Sequence, residues 1–293
     1  MRWEGRRESE NVEDRRHMRA GPMIAGGGGI VTLIIIVAAM VLGINPQQFM
    51  ANLPQGVPND PAAQVEAPPE DDEQTKQLKS FVSVVLADTE DVWNELFRAQ
   101  VGKPYQEPKL VLFSDSVNSA CGQASAAVGP FYCPGDSNVY LDLTFFEEMR
   151  AKFKAPGDFA MAYVIAHEVG HHVQNLLGLS MEVQKQQQQA SKVEANNLSV
   201  RLELQADFLA GVFAHHAQRT KEIMERGDIE EATNAAQQIG DDTLQRRMGA
   251  GRVQPDAFTH GSSAQRVRWF SKGLKSGNLE ELNQLFELPY DKL

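Results

Sequence analysis

The chain has 293 residues, a formal charge of −11, 42% hydrophobic residues and two cysteines. That balance fits a globular body and excludes a wholly disordered chain or a small disulfide-stapled scaffold. The acidic excess, without a basic stripe, phosphate-binding loop or nucleophile elbow, argues against nucleic acid as a partner.

Residues 1–22 form an arm carrying Arg2, Arg6, Arg7, Arg15, Arg16 and Arg19. Residues 23–44 follow without a single charge. As a helix this run would measure about 33 Å against a bilayer core of about 30 Å, so the sequence predicts one amino-terminal transmembrane helix. No small-x-small cleavage site follows Ile44, which argues against a signal peptide. After the run, no Lys or Arg occurs until Lys76. The positive-inside rule then leaves the arm in the cytoplasm and the body beyond the inner membrane, periplasmic or extracellular. Residues 45–75, with six prolines and the acidic run Glu70-Asp-Asp-Glu73, read as an extended linker with too little apolar area for a core.

Residues 76–293 are long enough for one domain, predicted to be α+β and mainly helical with a small β-sheet. Apolar periodicity predicts helices at Lys79–Gln100, Leu143–Lys154, Asp158–Leu177, Met181–Gln218, Asp228–Met248 and Ala264–Lys275. Lys109–Phe113 and Asn138–Asp142 read as strands, and Ser125–Cys133 as a further strand or ribbon. Cys121 and Cys133 enclose a short loop. In an oxidising compartment they are expected to pair, contributing about 3 kcal/mol under the chain-entropy model; in the cytoplasm they would stay reduced. They form no Cys-x-x-Cys knuckle, which makes them poor zinc ligands.

The chemistry concentrates at His167-Glu-Val-Gly-His-His172, inside an apolar helical pattern. His167 and His171 stand four residues apart, so a helix projects both imidazoles from one face toward a single metal ion. Glu168 starts on a neighbouring angle, from which it can reach a water at the metal without ligating. Gly170 costs such a helix about 1 kcal/mol relative to Ala, which suggests close packing against another backbone.

A catalytic zinc ordinarily takes three protein ligands. Downstream, Glu203 and Asp207 lie at i and i+4 in a mostly apolar helix, beside Ala206, Ala210 and Gly211. Carboxylates on such a face need a cation or full hydrogen bonding. Glu203 is therefore assigned as the third ligand. Asp207 then accepts from the non-ligating N–H of a zinc histidine and fixes its tautomer. An isolated Glu203 would instead pair with Arg201 or another surface cation.

These residues resemble the gluzincin metallopeptidases, in which a downstream glutamate completes the zinc site and an aspartate four residues later orients a histidine. More narrowly, the chain is similar to the bacterial proteins called putative neutral zinc metallopeptidases, with an amino-terminal membrane anchor and a zincin domain. The similarity is carried by Ala120-Cys-Gly122, Gly129 to Pro134, Val139 to Asp142, the His-Glu-Val-Gly-His helix, Glu203 to Gly211, and His260 to Phe270. It implies a zincin-like fold, Zn2+ as the cofactor and a peptide or protein substrate. The segment from His260 to Arg266 resembles the His-Pro-x-x-x-x-Arg stretch of membrane-associated gluzincins, with Gly261 in place of proline. That likeness makes His260 a candidate oxyanion donor, while Gly261-Ser-Ser263 equally reads as a helix N-cap. By analogy with zincins, Gly129–Cys133 or Ala124–Val128 would form the rim that pairs with extended substrate.

Other features have plainer readings. The glutamine run at 184–189 suits a solvated helix face or loop. His172 lies about 140° around the helix from His167, and His215 and His216 also fall off the metal face. The expected function is membrane-anchored, zinc-dependent peptide hydrolysis with Glu168 as general base. The alternatives are a zinc-binding, membrane-tethered binding or chaperone-like protein of weak or no activity, and a non-peptidase amide hydrolase.

Overall fold

Asp72 accepts from the Thr75 N–H and starts a long helix, α1 (Glu73–Leu96), whose buried stripe includes Phe81, Val82, Val85, Leu86 and Trp93. The computed structural model describes residues 1–17, 71–247 and 253–293. The expected transmembrane helix at 23–44 lies outside the described residues, as does most of the linker expected at 45–75. Among the described residues, no helix is long and apolar enough to cross a membrane. α1 and its Asp72 cap span the boundary expected at residue 76.

A mixed sheet of four strands, β1 (Val12–Asp14), β2 (Lys109–Phe113), β5 (Phe131–Cys133) and β6 (Asn138–Asp142), runs in the order β1-β2-β6-β5. β1, β2 and β6 are parallel, and β5 runs antiparallel at the edge. Alternation along β2 sends Leu110 and Leu112 into the main helical core, and Val111 and Phe113 into a smaller cluster with Val117, Cys133 and Tyr140. That smaller cluster lies under a hairpin of β3 (Ser116–Ser119) and β4 (Gly122–Ser125).

β1 is a correction to the sequence reading. Residues 1–17, expected as a separate cytoplasmic arm, belong to the same compact unit as the body. Val12, Glu13 and Asp14 pair with Leu110, Val111 and Leu112, and Trp3 packs edge-on against Phe81. Arg6, Arg7, Arg15 and Arg16, which the positive-inside argument counted as orientation signals, form ion pairs with Asp88, Glu90, Asp91, Glu13, Asp14 and Asp71.

The helices follow as α2 (Thr144–Ala151), α3 (Asp158–Leu176), α4 (Leu179–Gln187), α5 (Lys192–Lys221), α6 (Asp228–Gln238), α7 (Asp241–Arg247) and α8 (Ser263–Ser276). The single helix expected over 181–218 is two, because Ser191 forms a capping box with Glu194 and starts α5 afresh. The helix expected over 228–248 likewise divides at Gly240, where a side chain would overlap Ser263. Gln184–Gln187 end α4 on its exposed side. α5 and α8 cross at Gly211 and Gly273. A methyl group on Gly211 would overlap the Phe270 carbonyl, and one on Gly273 the Phe208 carbonyl, so glycine alone lets these backbones meet. This crossing brings α8 side chains over the middle of α5.

Candidate metal centre

α3 carries His167 and His171 one turn apart, their rings edge-to-face with centroids 4.8 Å apart. Glu203 projects from α5 between them, with one carboxylate oxygen 3.3 Å from His167 Nε2 and the other 3.5 Å from His171 Nε2. Donor atoms of the three residues all lie within 4.8 Å of one another. The helices meet this closely because Gly170 faces Ala206: a Cβ at position 170 would stand 3.0 Å from the Ala206 carbonyl oxygen.

Each histidine is fixed from behind. His167 Nδ1 lies 2.9 Å from Asp207 Oδ1, and that carboxylate also accepts from the Tyr163 hydroxyl and from Arg266 Nε and Nη2 at 2.8 and 2.9 Å. With Arg266 donating to Asp207, the proton on Nδ1 of His167 points to the same carboxylate and the Nε2 lone pair faces Glu203. His171 Nδ1 lies 2.9 Å from Gln174 Oε1, so its Nε2 is turned the same way. Gln174 is held in turn, because its amide N–H groups donate to the Leu202 carbonyl at 2.7 Å and to Gln205 Oε1 at 2.9 Å. Gln205 donates onward to the Leu282 carbonyl at 3.0 Å.

The electrostatics follow from this packing. Burial pushes the His167 imidazolium down, but Asp207 and Glu203 overcome it and raise its pKa to about 9. Burial likewise opposes the His171 cation, and Glu203 outweighs it, raising that pKa as well. Asp207, despite its burial, is held down at about 2 by Arg266 and His167. Glu203 falls well below its ordinary range because both imidazoles offset its desolvation. Two Nε2 atoms and a carboxylate that contacts both of them are the donor types that would hold a Zn2+ ion. The residues present therefore fit a zinc ion.

Glu168, 8% exposed, lies beside the pair, and burial raises its carboxyl pKa against the pull of His167 and His171. His260 is not part of the donor set. It sits at the mouth of α8, where Asp241 gathers the N–H groups of Thr259, His260 and Gly261. A hydrogen bond from its ring to Asp241 raises the His260 pKa, and Glu203 contributes to the same rise. The N-cap reading of this segment has its own residue: Ser262 caps α8 through a capping box with Gln265.

Cys121 and Cys133 are disulfide-bonded, and Cys133 belongs to the edge strand β5. His172 points away from the donor set: Nδ1 meets the Tyr132 hydroxyl at 3.1 Å and Nε2 the Gln106 carbonyl at 2.6 Å, while Asn175 also donates to Tyr132. These contacts pin β5 against α3. His215 and His216 hydrogen-bond the Leu274 and Gly277 carbonyls, away from the centre. Gln174 and Gln205 were missed by sequence reasoning. Their signal was available, since an amide within an apolar helical stripe needs a polar partner.

The α+β body thus sets the two histidines of a His-Glu-x-x-His helix against a glutamate of the next long helix. The chain belongs to the family described as "Putative neutral zinc metallopeptidase", whose model matches residues 1–285. It is 47% identical over 288 residues, 97% of this chain and 98% of the relative, to "Uncharacterized protein YpfJ" of Escherichia coli K12. It is 44% identical over 184 residues, 59% of this chain and 61% of the relative, to "Uncharacterized protein Rv2575" of Mycobacterium tuberculosis H37Rv. No solved structure matches the chain.

Proposed function

We propose that this protein hydrolyses peptide bonds with zinc held by His167, His171 and Glu203. The observation that carries the reading is Glu203 facing both Nε2 atoms at 3.3 and 3.5 Å while each Nδ1 is tied to a fixed acceptor. When bound, zinc supplies Lewis acidity toward the scissile carbonyl and lowers the pKa of the attacking water. Glu168 takes the water's proton and returns it to the leaving amine; its raised pKa brings it nearer the working range of a general base. His260, kept cationic to higher pH by Asp241, donates to the developing oxyanion. The edge strand β5, pinned beside α3 through Tyr132, offers extended backbone to a peptide in β-conformation.

The Cys121–Cys133 pairing supports an oxidising compartment outside the cytoplasm for the body. The apolar run at 23–44 supports attachment to the inner membrane.

Hydrolysis of an unfolded casein-type substrate by the full-length chain, with zinc content measured in parallel, tests the chemistry. Glu168→Gln should keep about one zinc per chain and lose turnover by about 10²–10⁴-fold. Stoichiometric zinc with no hydrolysis by either protein would replace the peptidase reading with a zinc-binding, non-catalytic one.

A further inference from the structure

The arm and the body are joined as parts of one fold. β1 is bracketed by the Leu110 N–H to the Asn11 carbonyl at 2.9 Å and the Arg15 N–H to the Leu112 carbonyl at 2.8 Å, so pairing continues through its ends. More telling is Glu90, 3% exposed on α1. Among the described residues, every side-chain donor to its carboxylate comes from the arm: Arg7 Nη1 at 3.0 Å, Asn11 Nδ2 at 2.9 Å and the Ser9 hydroxyl. Asp88, 2% exposed on the same helix, takes Arg6 at 2.6 Å beside Lys221 at 2.8 Å. A buried carboxylate stripped of its donors is strongly disfavoured. Among the described residues, the Glu90 carboxylate of the body thus takes its side-chain donors from the arm.

We infer that residues 1–17 and 71–293 occupy the same compartment, so that the amino-terminal arm and the metal centre face one side of the membrane. A chain crossing the bilayer once between them would place a hydrocarbon core of about 30 Å between strands that pair at about 4.8 Å. The arginines ahead of the apolar run have structural partners in the body, and these replace the orientation role that the positive-inside count assigned to them.

Single cysteines at two exposed positions, Glu4→Cys in the arm and Glu280→Cys in the body, test this in full-length protein expressed in a Gram-negative host. Spheroplasts are treated with a membrane-impermeant maleimide before and after lysis. Both positions are expected to react before lysis. Reaction of both only after lysis also supports a shared compartment, and counts instead against the oxidising location drawn from the disulfide. Reaction of one before lysis and of the other only after it overturns the inference.

Discussion

Arg266 grips both oxygens of Asp207, at 2.8 and 2.9 Å, and through that carboxylate it sets the orientation of His167. Both partners are essentially sealed from water. Arg266→Leu leaves Asp207 charged and buried with too few partners, which should destabilise the protein by about 3–5 kcal/mol. Denaturant unfolding of the metal-free proteins measures it. The double variant with Asp207→Leu should cost less than the two single changes added together, because the strain is one of mispairing. Additive losses would show that the pair is not coupled.

Gln174 does for His171 what Asp207 does for His167, with an amide in place of a carboxylate. Gln174→Leu should weaken zinc binding by about 10–100-fold, measured by competition with a chromophoric chelator. An unchanged zinc affinity would reduce Gln174 to a packing residue.

Zinc binding should depend on pH with a definite sign. In the metal-free protein His167 keeps its proton up to about 9, and zinc requires the neutral ring. Apparent affinity should therefore rise by at least about tenfold per pH unit from neutrality toward about 9, then level off. Calorimetry in buffers of different ionisation enthalpy should detect at least one proton released per zinc bound near neutral pH. A flat affinity across that range would mean that the ring is already neutral.

His260→Ala should leave zinc content intact and lower kcat by about 10²–10³-fold if its ring meets the oxyanion. A loss no greater than that of an exposed control such as Glu280→Ala would remove it from the chemistry.

At Gly211 two effects oppose each other. Helix propensity favours alanine by about 1 kcal/mol, whereas the added methyl would overlap the Phe270 carbonyl of a rigid neighbouring helix. Overpacking of this kind costs about 1–3 kcal/mol and here involves backbone, so Gly211→Ala should lower Tm. Thermal unfolding by circular dichroism decides the sign.

The pairing of His167 with His171 on one helix face, and of Glu203 with Asp207 on another, was legible because helical periodicity is local; that the two faces meet was not written in the spacing. The amino-terminal arm was not legible, since Arg6 and Arg7 meet Asp88 and Glu90 across more than eighty positions of sequence, and charge counting near an apolar run sees only the local arginines. The break at Ser191 was written in Ser191-Lys-Val-Glu194, a capping box that lay inside an otherwise continuous helical pattern. The β3–β4 hairpin carried little signal, because Ser116–Ser119 and Gly122–Ser125 are mostly small or polar and only Val117 is deeply buried.

Glu203 touches both imidazoles at once, and this gives the centre a simple charge balance. With both rings protonated the cluster of His167, His171 and Glu203 carries two positive charges and one negative; with both rings neutral and a divalent ion between them, it carries the same sum. Where both rings carry protons, loading would exchange two protons for one dication at constant local charge. Acidification is then the way to unload the ion, and returning to alkaline pH with metal present is the way to refill the site.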